Sequence, residues 1–234
     1  MVTELQMPKD ALIIGNSDGI GLALTRELLN TGWIVKGFSR SPSPITHNAY
    51  SHIVVSVDNE EFSPVLKAAV EKSPADLCVY CAGIGEMLDL ADMNSEVKIF
   101  EVNLIGMVKT VSCVIPEMIR AGKGHFIGLS SMADRILAPD SPSYSASKAG
   151  FSSYLESLAL AVRPKGVHIT NVCFGFVDTK MAKGTSMPFM MSTQKAVSHL
   201  IKCVEKRPIR YSAPFAMIPI AKILGLVNRL RTMH

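Results

Sequence analysis

Residues 141–150 read SPSYSASKAG and place Tyr144 and Lys148 four apart among small polar neighbours. On a helix that spacing puts both side chains on one face. A phenol has a pKa near ~10, too high for it to act as a base at neutral pH. An ammonium about 4 Å away, at an effective dielectric of about 20, stabilises the phenolate by roughly 4 kcal/mol. That is about three pKa units, some of which desolvation of the phenolate takes back. A tyrosine so placed can give a proton to a developing alkoxide or take one from an alcohol. The spacing alone also describes two neighbours on a solvated helix face, so the surroundings must decide.

The elements that would position the pair form an alternation. Short apolar runs at 11–15, 33–39, 52–57, 76–82, 125–130 and 167–174 read as strands, with a last short one near 210–215. Their continuous rather than alternating apolarity suits a parallel sheet covered on both faces. Helical patterns at 20–30, 62–72, 95–121 and 143–162 lie between them. The expected fold is therefore α/β, a doubly wound Rossmann-type parallel sheet in three α/β/α layers, with all 234 residues in one domain. In such sheets ligands gather beyond the carboxyl ends of the strands.

Each strand end carries something suited to that place. After the first comes Gly15-Asn16-Ser17-Asp18-Gly19-Ile20-Gly21, leading straight into a helix. Glycines let the backbone approach a phosphate, and the helix start offers free N–H groups to it. The second strand ends at Ser39-Arg40-Ser41, with no acid to grip a ribose 2′-hydroxyl. Arg40 flanked by serines suits a 2′-phosphate and favours NADP(H) over NAD(H), although Asp18 argues the other way. Asp58, after the third, is read as an acceptor for an adenine amino group or as a helix cap before Phe62. Cys81-Ala82-Gly83 ends the fourth, Ser130-Ser131 the fifth, and Gly175, Val177 and Thr179 follow the sixth.

With these residues in place the chain resembles the short-chain dehydrogenase/reductase family in its single-domain form. Gly15, Gly19 and Gly21 have the family's G-x-x-x-G-x-G spacing, and Asn103 in EVNLIG matches its helix asparagine. Ser131, Tyr144 and Lys148 match its catalytic residues, and Gly175 with Thr179 in FGFVDT match its nicotinamide segment. Ile14, Cys81 and Phe174 stand where the family usually has threonine, asparagine and proline.

The resemblance implies hydride exchange between a nicotinamide cofactor and a ketone or secondary alcohol. Tyr144 would be the acid/base, and Lys148 would hold the ribose and lower the Tyr144 pKa. Ser131 would bind the substrate oxygen, and Asn103 would hold a relay water. The contrasting reading is a non-catalytic NAD(P)-binding regulatory protein on the same fold, against which the intact Ser131, Tyr144 and Lys148 speak. The resemblance also implies a homodimer or homotetramer.

Composition narrows the partners. A net charge of +4 with scattered Lys and Arg gives no basis for nucleic-acid binding. Five cysteines in mostly apolar runs, Cys78 and Cys81 among them, read as reduced buried thiols of a cytoplasmic protein. Six dispersed histidines offer no metal set. The methionine-rich stretch 181–193 is expected to form an apolar substrate loop. The apolar tail 214–231 is expected to cap the pocket, make a subunit contact or lie on a membrane surface, in that order.

Overall fold

A computed structural model describes residues 9–182, 187 and 189–231. Seven strands form one sheet: β1 (Asp10–Ile14), β2 (Ile34–Ser39), β3 (Tyr50–Val54), β4 (Leu77–Tyr80), β5 (Gly124–Ser131), β6 (Val167–Phe174) and β7 (Arg210–Ala213). Every pairing is parallel, in the order β3-β2-β1-β4-β5-β6-β7. The chain winds outward from β1 to β3, then crosses back to begin β4 on the other side of β1. That reversal opens a crevice above β1 and β4, where a ligand of an open α/β sheet belongs.

The helices are α1 (Gly19–Asn30), α2 (Phe62–Lys72), α3 (Asn94–Phe100), α4 (Gly106–Arg120), α5 (Pro142–Val162), α6 (Thr193–Lys206) and α7 (Met217–Arg231). Successive strand residues feed opposite layers, as the pleat requires. Leu12, Ile14, Cys78 and Tyr80 face Leu66, Met107, Val111, Phe151 and Leu155. Ala11, Ile13, Leu77 and Val79 face Leu24, Leu28, Leu200 and Cys203. The run Asn94–Arg120 has the length and apolarity of a membrane span, yet 56% of its most apolar window is buried inside this fold.

Four expectations need correction. The third strand runs Tyr50–Val54 rather than 52–57, so Asp58 is not its end but lies in the loop beyond. The expected helix 95–121 is interrupted by a π-helical turn at Glu101–Ile105, with Asn103 at its centre. Two helices went unread. α6 has a serine cap, Ser192 accepting from Lys195 N at 3.2 Å, and apolar residues at Ala196, Val197, Leu200 and Cys203, both legible signals. The tail is α7, whose proline at position 219 masked its helical period.

Candidate active site

The glycine turn folds back on itself above β1. Gly15 has φ of 86°, and a Cβ there would lie 2.5 Å from Ala82 N; one on Gly21 would lie 2.1 Å from Gly15 O. Only glycines allow this approach, which lays the turn against the end of β4. Asp18 caps α1, its Oδ1 accepting from Gly19 N at 2.7 Å. Leu22 N reaches Asp18 O at 3.1 Å, leaving Ile20 and Gly21 N–H without an acceptor within the helix. These donors fit an anion, as expected of a diphosphate site. Ser17 lies between them and the buried Asn16.

Asn16 is a residue the sequence reading missed. It is fully buried, donates to Tyr50 Oη at 2.7 Å, and lies so close to Gly37 that a Cβ there would be 2.0 Å from its Nδ2. It ties the turn to β2 and β3. A glycine inside an apolar strand, Gly37, was the signal for such a close approach.

The neighbouring candidates divide. Arg40 is exposed at the end of β2. Ser39 is not available beside it: it is buried, its hydroxyl donating to Ser41 O and meeting His52 Nε2, each at 2.8 Å. Asp58 does not cap α2, since Glu61 holds the cap position without a side-chain bond; its carboxylate instead takes Ser56 and Lys98. Val177 packs in the apolar core and bridges to Met191, so its side chain faces no cleft. Gly175 lies against α7, where a Cβ would meet the flexible Met217 side chain, its Sδ 2.6 Å away.

The expected catalytic set does converge. A Cβ on Gly83 would stand 3.4 Å from Asn103 Oδ1, 3.7 Å from Lys148 Nζ and 3.9 Å from Met181 Cε. One on Gly85 would stand 3.1 Å from the Tyr144 ring. The β4 loop thus runs between the π turn and α5, with Cys81, Ala82 and Gly83 on its path. Lys148 Nζ lies 5.9 Å from the Tyr144 ring centroid and donates to Leu129 O at 2.9 Å. Ser131, at the end of β5, accepts from Ala133 N at 3.1 Å and lies beside the Tyr144 phenol, whose ionised form it favours.

Burial sets the electrostatics of the pair. It pushes the Tyr144 phenol up, and Ser131 beside it opposes that only in part. Burial also pulls Lys148 down to about 8, against the nearby thiols Cys173 and Cys81, which hold it up. The pair is desolvated together and the ammonium donates to a backbone carbonyl, so burial sets the direction of the Tyr144 shift. Asn103 is likewise engaged. Its amide accepts from Ile84 N at 2.8 Å and donates to Ile84 O at 2.9 Å and Ser147 Oγ at 3.2 Å. What it visibly does is pin the β4 loop to α5. All five cysteines are free thiols, with burial pushing Cys81 up to about 12. Among the described residues no cluster could hold a metal.

Comparison with known proteins settles the lineage. The family model described as short chain dehydrogenase matches residues 9–188. The chain belongs to the short-chain dehydrogenase family. An uncharacterised oxidoreductase of Staphylococcus saprophyticus is 30% identical over 200 residues, covering 79% of this short-chain dehydrogenase and 84% of its relative. One of Myxococcus xanthus is 34% identical over 161 residues, covering 66% of this chain and 64% of its own. Among solved structures, a short chain dehydrogenase from Burkholderia cenocepacia in complex with NADP superposes with a TM-score of 0.84. It does so at 22% identity over 97% of this chain and 96% of its own.

The substrate side is only partly described. Residues 183–186 and 188 of the expected loop lie outside the described residues. Of the rest, Met191 is buried in the core and Phe189 is exposed. α7 packs on the short turn after Ser131, where a Cβ on Gly225 would lie 2.4 Å from Arg135 O. That places the tail beside the site, as a cap would be.

Proposed function

We propose that the protein is an NAD(P)-dependent oxidoreductase that interconverts a ketone and a secondary alcohol, with NADP(H) preferred. The observation that carries this reading is the convergence of Lys148 and Tyr144 on the loop of Gly83 and Gly85, with Ser131 beside the phenol, along the crevice that begins at the glycine turn. The NADP complex of the Burkholderia structure supports the cofactor class. A 3-oxoacyl-acyl-carrier-protein reductase of Chlamydia muridarum, 28% identical over 79% of this chain and 80% of its own, supports a carbonyl substrate. Arg40, exposed and with no recorded ion-pair partner among the described residues, supports the 2′-phosphate preference.

The bound cofactor would supply or accept the hydride; everything else falls to the chain. Ile20 and Gly21 N–H would take the diphosphate, and Lys148 Nζ, beside Gly83, would hold the ribose. Ser131 Oγ and Tyr144 Oη donate to the substrate oxygen and stabilise the charge that grows there. Tyr144 then gives its proton to that oxygen. A phenol pushed up by burial stays protonated through neutral pH, so the free protein is poised to act as the acid in carbonyl reduction. Running the reaction as an oxidation requires the phenolate and is favoured by rising pH. Asn103 would hold the relay water only through the acceptor capacity its amide has left.

The test is binding followed by turnover. NADPH should bind more tightly than NADH, and a screen of ketones, keto-esters, steroids and acyl thioesters should show oxidation of the bound cofactor. Tyr144→Phe should keep cofactor binding and lose turnover. Near-normal turnover in that variant would remove Tyr144 from the mechanism, and a clear preference for NADH would overturn the role of Arg40. We also infer a single-domain, cytoplasmic homo-oligomer.

A further inference from the structure

Asp18 is a puzzle on the proposed function. It stands at the start of α1, where the cofactor's diphosphate is expected, and it brings a negative charge to that place. As a cap it stabilises the helix. As a charge it repels the ligand the helix end should attract. The carboxylate does not stand alone, however. Lys180 Nζ lies 2.8 Å from Asp18 Oδ2, and this hydrogen bond is the main reason the Asp18 pKa is lowered.

The partner comes from far away in the sheet. Lys180 follows β6, and β4 and β5 separate β6 from β1. Three strand spacings amount to about 14 Å, which the segment crosses over the strand ends. Two contacts beside the ion pair confirm the crossing. Thr179 Cγ2 lies 3.4 Å from where Gly19 would carry a Cβ, and Met181 Cε lies 3.9 Å from the same point on Gly83. The strap therefore spans the crevice from the glycine turn to the neighbourhood of Lys148.

We propose that Lys180 is a positioning residue for the cofactor: by pairing with Asp18 it cancels the acid's charge and holds the strap over the diphosphate site. The idea rests on the cofactor reading above and adds a residue to it. It also explains how an acid is tolerated there. Asp18 keeps its capping bond to Gly19 while Lys180 removes its repulsion. The effect concerns the diphosphate, which both cofactors share, and not the 2′-phosphate.

The experiment is a double-mutant cycle read by direct titration with NADPH and NADH at low salt, without turnover. Lys180→Met should weaken both cofactors roughly tenfold, by leaving Asp18 unpaired. Lys180→Arg should restore binding. Asp18→Asn, which still caps, should bind at least as tightly as the parent. The double variant should bind like Asp18→Asn, because no charge then needs cancelling. Unchanged binding in Lys180→Met overturns the proposal. So does a double variant as weak as Lys180→Met, which would mean that Lys180 touches the cofactor itself. A loss confined to NADPH would assign Lys180 to the 2′-phosphate and overturn it too. If the parent binds neither dinucleotide, the cofactor reading fails first, an outcome distinct from these three.

Discussion

Two charged clusters, one buried and one partly buried, lie against α5, and they are built in opposite ways. In one, Lys148 is 4% exposed and, among the described residues, has no carboxylate partner and donates only to the Leu129 carbonyl. In the other, Arg210 donates to Asp134 and Glu156, with Nη1 reaching Glu156 Oε1 at 2.6 Å and Nη2 reaching Asp134 Oδ2 at 2.8 Å. Asn171 completes that set by donating to Glu156 at 2.7 Å. The paired cluster clamps β6 and β7 to α5 and to the short turn after Ser131. The unpaired one holds a cation at low dielectric with no carboxylate beside it among the described residues. Burying an unpaired charge works against folding, so its presence marks the place where a negative charge is expected to appear later.

The comparison can be broken most decisively at Tyr144. Tyr144→Phe should lower kcat by about a thousandfold or more while leaving the melting temperature and the NADPH dissociation constant nearly unchanged. Steady-state kinetics beside a thermal melt would show it. Arg210→Met should do the reverse. With the Asp134 side chain 2% exposed, removal of its partner leaves a buried carboxylate and destabilises the fold by about 3 kcal/mol. Denaturant unfolding measures that loss, and the residual activity of the folded fraction should stay well above that of Tyr144→Phe.

A third test separates function from stability at Lys148. Lys148→Met should abolish turnover yet raise stability at neutral pH by about 1–2 kcal/mol, because it removes an unpaired buried charge. The sign follows from the pKa, which burial pulls down to about 8 in the folded protein. The unfolded chain holds the proton up to about pH 10.4, so parent stability rises between these values. The advantage of Lys148→Met should accordingly shrink across that window. Equal stability of the two proteins at pH 7 would mean that the ammonium is better solvated than its burial implies. The smallest effect is kinetic: reductive kcat/KM should decline above about pH 8 as Lys148 loses its charge.

The two halves of the site were not equally legible. Gly15, Gly19 and Gly21 announce the cofactor turn because phosphate binding needs backbone approach, and backbone approach needs glycine wherever it occurs. Tyr144 and Lys148 were legible because a helix makes i and i+4 neighbours without tertiary help. Ser39 misled for the opposite reason. Its place after β2 is a matter of sequence, but the direction of its hydroxyl was decided by His52 and Ser41. Asp58 and Lys98, 40 residues apart, could not be paired from the chain. Nor does spacing reveal a π turn, which is why the segment around Asn103 read as continuous α-helix.

The sequence by itself determined the layered parallel sheet, the glycine turn and the placing of Tyr144 and Lys148 one turn apart on a helix. Periodicity and local backbone chemistry act over a few residues and survive any later packing. Only the tertiary structure decided where charges are cancelled and where they are left. Burial raised Tyr144 and lowered Lys148, β7 carried Arg210 to carboxylates on α5 and on the turn after Ser131, and a strap crossing two strands brought Lys180 to Asp18. Electrostatic energy depends on distance through space and on exclusion of water, and the chain's order encodes neither until it has folded.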